Sequence, residues 1–162
     1  MPKKIRLLFV DDEKRFLDNL AARLSLRDFT VVAVDNGQDA LAKAREHDFD
    51  VALIDLRMPG MGGEELLAKL KEEHPLLEVV ILTGHGSVDS AVECTKAGSY
   101  GYLQKPCELD ELLVALRDAY KNRLKRKYEV GDTELRKAVG LALTGAPLQV
   151  LLRLREIDEE GL

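Results

Sequence analysis

The chain has 162 residues, of which 46% are apolar and 33% are charged, and it carries a formal net charge of −5. This length suits one domain with an appended segment and is too short for two full-sized domains. The composition is that of a globular protein, which excludes a disordered chain and a membrane protein. The negative charge argues against broad nucleic-acid binding, because contact with phosphates requires a basic surface.

The N-terminal segment is short. Only six strand-like residues, 5–10, separate Met-Pro-Lys-Lys from two aspartates. That is far less than the core of a signal peptide or a membrane span requires. We therefore expect a cytoplasmic protein without membrane contact.

Short apolar segments alternate with longer amphipathic ones along the chain. The short segments, rich in Val, Ile and Leu, predict buried parallel strands at 5–10, 30–34, 51–56, 78–83 and 101–104. The segments with apolar residues at helical spacing predict helices at 13–26, 38–47, 64–73, 88–97 and 109 to about 128. Gly37 and Gly98 are expected at turns or helix caps. The alternation predicts an α/β fold: a doubly wound, five-stranded parallel sheet of flavodoxin-like order 2-1-3-4-5.

The pattern changes after about residue 130. Two further helices are predicted at 135–143 and 148 to about 158, separated by Thr144-Gly145-Ala146-Pro147. The second is rich in leucine and should pack against another surface. We therefore divide the chain into a sheet domain, 1–128, and a helical C-terminal extension, 129–162.

Two other features have simple interpretations. The basic residues near the end of the fifth helix are expected to be solvated there, where cations complement the helix dipole; they are Lys121, Arg123, Lys125, Arg126 and Lys127. Cys94 and Cys107 lack metal-ligand spacing and are interpreted as reduced thiols.

Polar residues follow the predicted strands at the edge where a doubly wound sheet binds its ligand. Asp11 and Asp12 follow the first strand, and Asp55 lies at the end of the third. Thr83 ends the fourth strand and Lys105 follows the fifth. All five side chains are therefore expected at one edge of the sheet.

Each of these residues alone has a simpler interpretation. Asp11 and Asp12 would cap the first helix, Asp55 would belong to the turn at Met58-Pro59-Gly60, and Thr83 would be an ordinary strand residue. None of these interpretations explains why the acids, the threonine and the lysine converge.

Three carboxylates at adjacent strand ends repel one another by roughly 3 to 4 kcal/mol per pair at an effective dielectric constant of about 20. Bound Mg²⁺ would offset this repulsion. Asp55 stands alone and is the best nucleophile, whereas Asp11 and Asp12 form a pair suited to a metal. With Thr83 and Lys105 as partners of phosphoryl oxygens, the set predicts a phosphoryl-transfer site.

Four motifs, in this order, resemble the motif set of response-regulator receiver domains: Val10-Asp11-Asp12-Glu13, Asp55-Leu56-Arg57-Met58-Pro59-Gly60, Leu82-Thr83-Gly84 and Lys105-Pro106. The resemblance covers residues 4 to about 125 and is specific as a set. It implies a (βα)5 receiver fold and a role as a phosphoacceptor in a two-component pathway. A sensor histidine kinase or a phosphotransfer protein would supply the phosphoryl group.

The resemblance also implies a role for each site residue. Asp55 would be phosphorylated, and Mg²⁺ would be held by Asp12, Asp55 and the backbone carbonyl of Arg57, with Asp11 assisting through water. Thr83 and Lys105 would bind the phosphoryl group.

Tyr102 stands at the family's aromatic switch position on the last strand. From the residues alone it is as readily a half-buried strand aromatic. The resemblance favours a switch in which Thr83 moves toward the phosphate and Tyr102 rotates inward. The output surface would then be the fourth helix, fifth strand and fifth helix.

Arg57 and His85 match no fixed residue of the family, although both would flank the phosphoryl group. We interpret them as residues that tune the lifetime of the phosphorylated form by steering or excluding the hydrolytic water.

Two rival functions remain open. A phosphatase of the haloacid-dehalogenase type uses similar groups, but its nucleophile ends the first strand, whereas here the acidic pair comes first. The second rival function is that of a receiver-like binding module that is never phosphorylated. We expect no enzymatic activity beyond the domain's own phosphorylation and dephosphorylation.

The extension is too short for a winged helix or an ATPase, and we do not expect it to bind DNA. We expect it, or the output surface, to mediate homodimerisation or binding of a downstream protein.

Overall fold

The computed structural model describes residues 4–130. The strands in this part of the chain are Ile5–Val10 (β1), Phe29–Val34 (β2), Val51–Ile54 (β3), Glu78–Thr83 (β4) and Gly101–Gln104 (β5). The helices that alternate with them are Lys14–Ser25 (α1), Gly37–Glu46 (α2), Gly63–Glu73 (α3), Val88–Lys96 (α4) and Leu109–Val130 (α5). The predicted alternation of five strands with five helices is confirmed.

The strands form one parallel sheet in the order β2-β1-β3-β4-β5. This order confirms the predicted doubly wound fold. In the register of the sheet, Val10 pairs with both Val34 and Ile54, so β1, β2 and β3 end at the same level. The residues that follow the strands therefore meet at one edge, as the sequence predicts.

The sheet is covered on both faces, which explains why its strands are continuously apolar rather than alternating. Leu7 and Phe9 belong to a core cluster with residues of α1 and α5. Leu8 and Val10 belong to a second cluster with residues of α2 and α3. Successive β1 residues thus face opposite layers, as a two-residue strand period requires.

Several boundaries differ from the predicted ones. Strand β3 ends at Ile54 rather than at residue 56, because the Leu56 N–H donates to the Asp55 side chain (2.8 Å) and the Leu56 carbonyl accepts from Gly63 (2.8 Å). Helix α2 begins at Gly37 rather than after it, since Asn36 caps the helix by accepting from the Asp39 N–H. Strand β2 begins one residue early and α5 continues to Val130.

The interpretation of the basic residues of α5 as solvated is wrong for Arg123 and Arg126. Arg123 is 4% exposed, and its Nε donates to the buried Asp50 carboxylate over 3.1 Å. Arg126 pairs with the buried carboxylate of Glu78. Arg123 lies three positions after the buried Tyr120, so the helical period turns it toward the sheet. These ion pairs anchor the C-terminal half of α5 to the amino edge of the sheet.

The predicted helices at 135–143 and 148 to about 158 lie outside the described residues, and the domain boundary at 128/129 stays a prediction. No helix within residues 4–130 combines the length and apolarity needed to cross a membrane. Cys94 and Cys107 are free thiols.

Candidate functional site

Three carboxylates meet at the carboxyl edge of the sheet. One oxygen each from Asp11, Asp12 and Asp55 lies within 4.8 Å of the others. Asp11 is 1% exposed and Asp55 2% exposed, whereas Asp12 is exposed. The cluster is therefore buried on one side and open to solvent on the other.

The backbone ladder places these residues. The Asp55 N–H donates to the Val10 carbonyl (3.1 Å) and the Lys105 N–H donates to the Thr83 carbonyl (2.9 Å). Hydrogen bonding between neighbouring strands thus continues one residue past their ends. It sets Asp55 beside the end of β1 and Lys105 beside the end of β4.

Lys105 supplies a cation to the cluster. Its Nζ donates to Asp11 Oδ2 over 2.7 Å and lies 3.7 Å from Asp55 Oδ2. The exposed Glu13 carboxylate is 3.4 Å from the same nitrogen. The Lys105 side chain is 13% exposed, so its ion pairs with the buried Asp11 and Asp55 are only weakly screened by solvent.

Local hydrogen bonds fix the orientation of two carboxylates. Asp11 Oδ1 accepts from the Glu13 N–H (2.9 Å), and Asp55 Oδ1 accepts from the Leu56 N–H (2.8 Å). The Oδ2 atom of each residue is then the one that faces Lys105. Glu13, not either aspartate, is the N-cap residue of α1. The capping interpretation of the acidic pair therefore does not apply.

The pKa values of Asp11 and Lys105 are both raised, for different physical reasons. Burial raises the pKa of Asp11 above its ordinary value, and the hydrogen bond from Lys105 opposes this only in part. Burial lowers the pKa of Lys105, but the hydrogen bond to Asp11 and the charges of Asp11, Asp55 and Glu13 raise it further, so the net pKa is above the ordinary value. The Lys105 shift is that of an ammonium stabilised by the carboxylates around it, whereas the Asp11 shift comes mainly from burial.

An open cleft of about 520 Å³ lies beside the carboxylates. It is lined by Asp12, Glu13, Asp55, Leu56, Arg57, Met58, Pro59 and His85. The exposed side chains of Arg57 and His85 thus flank the same cleft as Asp55. The space is sufficient for a phosphoryl group, a hydrated cation and the end of a donor side chain.

Thr83 and Tyr102 lie on neighbouring strands. Thr83 is fully buried, and its Oγ1 accepts from the His85 N–H over 3.1 Å. Tyr102 is half-buried, and its hydroxyl lies 2.6 Å from Ser90 Oγ on α4. Ser90 also completes a capping box with Ser87. The hydroxyl of Tyr102 is therefore connected to the beginning of α4.

Sequence reasoning missed three residues of this region. Glu13 contacts Lys105, Ser90 contacts Tyr102, and the Phe16 ring centroid lies 4.1 Å from Lys105 Nζ. The spacing of Phe16 indicates only that it belongs to the apolar stripe of α1. Spacing identifies the face of a helix but not which distant residue that face meets.

The family model described as "Response regulator receiver domain" matches residues 7–117. This chain belongs to the response-regulator receiver family. It is 35% identical over 154 residues to the transcriptional regulatory protein GlrR of Escherichia coli K12, a match covering 95% of this chain and 33% of that protein. The chain thus spans about a third of the length of that relative.

Solved receiver structures share the fold. A crystal structure of a response regulator receiver domain protein from Clostridium thermocellum is 30% identical, with a TM-score of 0.70, and the match covers 78% of this chain and 98% of that one. The beryllofluoride-activated NtrC4 receiver domain dimer is 33% identical, with a TM-score of 0.69, and covers 73% of this chain and 98% of that one. The receiver fold predicted from the motifs is confirmed.

The acidic residues of this receiver domain fit the divalent cation that the family implies. The cluster offers three carboxylates for one ammonium, which leaves two negative charges uncompensated. Hard oxygen donors beside an open cleft are the ligands that Mg²⁺ prefers, since this ion retains several waters.

Proposed function

We propose that this receiver domain accepts a phosphoryl group onto Asp55 from a phosphohistidine of a sensor histidine kinase or a phosphotransfer protein. The observation that supports the proposal most is the position of Lys105 Nζ, 3.7 Å from Asp55 Oδ2 and 2.7 Å from Asp11 Oδ2, beside an open cleft. Oδ2 of Asp55 is the oxygen that the Leu56 N–H leaves unused, and we assign it as the nucleophile.

In the transfer, Oδ2 of Asp55 forms a bond to phosphorus while the bond between phosphorus and the imidazole nitrogen breaks, and the electron pair leaves with the imidazole. Lys105 then pairs with a phosphoryl oxygen, for which its compact ammonium is suited. Because the Lys105 ammonium already lies between Asp11 and Asp55, this exchange of partners requires only a small movement.

Asp12, Asp55 and the backbone carbonyl of Arg57 would hold Mg²⁺, with Asp11 assisting through water. When bound, the ion neutralises charge on the transferring phosphoryl group. The three carboxylates that meet in the acidic cluster support this assignment.

Phosphorylation would change the partners of Thr83 and Tyr102. The Thr83 hydroxyl, which now accepts from the His85 N–H, would donate to a phosphoryl oxygen. Tyr102 would rotate inward and leave Ser90, which would alter the beginning of α4. The surface formed by α4, β5 and α5 is therefore the proposed output surface.

Incubation with acetyl phosphate and Mg²⁺ tests the function directly. Intact-mass spectrometry is expected to detect one added phosphate, and peptide mapping after borohydride reduction is expected to place it at Asp55. The adduct should be lost when Mg²⁺ is removed with EDTA. If conditions that label a control receiver yield no adduct, the unphosphorylated binding module becomes the better interpretation.

We propose that Arg57 and His85 tune the lifetime of the phosphorylated form. Both are exposed and line the cleft that gives water access to Asp55. Arg57→Ala and His85→Ala are each expected to change the first-order dephosphorylation rate by about threefold. That change corresponds to under about 1 kcal/mol of barrier, which one side chain that steers a water can supply. Loss of radiolabelled phosphate over time measures the rate, and unchanged rates in both variants would refute the role.

The output surface carries exposed apolar side chains suited to a protein partner or a second copy. The described part of the chain has six exposed large apolar residues. Four of them lie on or directly beside α4, β5 and α5: Val88, Val92, Tyr100 and Val114. We propose that phosphorylation promotes homodimerisation through this surface. The beryllofluoride-activated NtrC4 receiver domain is a structural precedent for an activated receiver that is dimeric.

Sedimentation velocity with beryllofluoride, a phosphoryl mimic, checks the proposed dimer. Val88→Glu, at a residue 81% exposed on α4, is expected to weaken association by at least about tenfold, since it places charge in an apolar contact. Leu26→Glu, at a residue 84% exposed near the end of α1, is the matched control and should leave association unchanged. Equal effects of the two substitutions would contradict the assignment of the surface.

The role of residues 129–162 stays a proposal. The match to GlrR covers 95% of this chain and therefore continues past residue 130 into the extension. GlrR is a transcriptional regulatory protein, so the prediction that this chain does not bind DNA stays a prediction. The predicted cytoplasmic location also stays a prediction. We propose that the extension mediates self-association or contact with a downstream protein. A variant ending at residue 130 with unchanged oligomeric state and partners would count against this.

A further inference from the structure

Phe16, on α1, covers one side of the Lys105 ammonium. The Lys105 Nζ lies 4.1 Å from the centroid of the Phe16 ring. The ring is itself held by Phe9, whose centroid is 6.2 Å away at an interplanar angle of 78°, an edge-to-face arrangement. Phe9 is a core residue of β1 with 1% exposure. The ring that faces Lys105 is thus fixed by the core of the sheet.

The surroundings of the ammonium differ on its two sides. Asp11, Glu13 and Asp55 provide carboxylate oxygens at 2.7, 3.4 and 3.7 Å. The Phe16 ring provides an aromatic face, which attracts a cation without accepting a strong hydrogen bond. The carboxylates therefore compete for the protons of the ammonium, while the ring restricts its position.

We propose that Phe16 is a positioning residue for phosphorylation, holding the Lys105 ammonium within reach of the phosphoryl group on Asp55. The proposal rests on the function proposed above. When the Lys105 ammonium leaves Asp11 and donates a hydrogen bond to a phosphoryl oxygen, its contact with the Phe16 ring persists. That contact does not depend on which oxygen accepts the hydrogen bond from the ammonium. Phe16 touches neither the phosphoryl group nor the metal ligands in this role; it acts through Lys105.

The test compares two substitutions that retain apolar bulk. Phe16→Leu removes the aromatic face, and Phe16→Tyr keeps it. Acetyl phosphate is the donor, because a small molecule does not need to dock on α1 and so any effect on kinase binding is excluded. Phe16→Leu is expected to lower the labelling rate constant about threefold to tenfold, the range of a partly desolvated cation–π contact, while Phe16→Tyr stays within about twofold of wild type.

A structural control separates positioning from general damage to α1. Leu20 is a buried core residue of the same helix, one turn after Phe16, so Leu20→Val should lower the free energy of unfolding without slowing the labelling. Proton NMR gives an independent signature. The Lys105 Cε protons, identified by their absence in Lys105→Arg, should be shifted upfield by the ring current in wild type and Phe16→Tyr but not in Phe16→Leu.

Three results would overturn the positioning role while leaving phosphorylation intact: a wild-type rate in Phe16→Leu, a rate in Phe16→Tyr as low as in Phe16→Leu, or equal slowing by Leu20→Val. Absence of labelling in wild type would instead refute the proposed function, and the positioning role with it. The two failures are therefore distinguishable.

Discussion

Asp55→Asn is expected to abolish phosphorylation and also to stabilise the protein in the absence of divalent cations. The amide lacks the anionic oxygen that attacks phosphorus, so no mass increase should follow incubation with acetyl phosphate. The stabilisation has a separate cause. Asp55 is repelled by Asp11 and Asp12 within the acidic cluster and is attracted by Lys105 at 3.7 Å, so removal of its charge relieves two repulsions and costs one attraction.

We expect the free energy of unfolding to rise by about 1 kcal/mol in EDTA, a fraction of the full pair repulsion because Asp12 is exposed to solvent. The side-chain carbonyl of the introduced amide can still accept the hydrogen bond that the Leu56 N–H donates to Asp55, so the local backbone should be unchanged. Urea unfolding followed by circular dichroism measures the difference. Asp18→Asn, at an exposed acid on α1, is the control and should change neither stability nor labelling.

Addition of Mg²⁺ should reverse the order of stability. A ligand that binds only the folded state stabilises it by about 2.7 kcal/mol when its concentration is one hundred times the dissociation constant. Wild type should gain this stabilisation, whereas Asp55→Asn, having lost a carboxylate ligand, should gain less. Equal gains in the two proteins would contradict the assignment of Asp55 as a metal ligand, and persistent labelling of the variant would contradict its assignment as the nucleophile.

Gly63→Ala is expected to lower the free energy of unfolding by about 3 kcal/mol or more, at the upper end of overpacking effects. A Cβ at Gly63 would lie 2.2 Å from the Asp55 carbonyl oxygen and 2.7 Å from Leu56 Cα. Both are backbone atoms, so neither can move aside as a side chain would. The beginning of α3 and the loop that carries Asp55 would have to separate, and the labelling rate with acetyl phosphate should fall as well.

The neighbouring glycine provides a matched control. A Cβ at Gly62 would meet only the Leu56 carbonyl oxygen, at 3.6 Å, and its φ of −73° is accessible to alanine. Gly62→Ala should therefore change stability by less than about 1 kcal/mol and leave labelling intact. If both substitutions had equally small effects in urea unfolding, the close packing of α3 against Asp55 would be refuted.

The sequence by itself determined the fold and the edge at which the candidate site lies. Strand and helix periods are local properties, and a parallel sheet with helices between its strands brings every carboxyl end to one edge. That is why the sequence alone predicts that Asp11, Asp55 and Lys105 lie together, although the first and the last are 94 residues apart. The ordered motifs added the receiver family, which the family comparison confirmed.

Boundaries were less predictable where side chains compete with the backbone. The apolar run through Leu56 predicted a longer β3, but the Asp55 carboxylate accepts from the Leu56 N–H and ends the strand early. The sequence does not show which of two partners the Leu56 N–H will choose. It could donate to the adjacent strand and extend β3, or to the Asp55 carboxylate and end it.

Only the tertiary structure decided which distant side chains meet. Arg123 belongs to a basic run that the sequence predicts to be solvated, yet it pairs with Asp50 at the amino edge of the sheet. Phe16 is one apolar residue of a helix stripe, yet its ring faces Lys105 from 4.1 Å. The physical reason is the same in both cases. A helical period sets the face on which a residue lies, whereas the identity and distance of its partner depend on how the helices pack on the sheet.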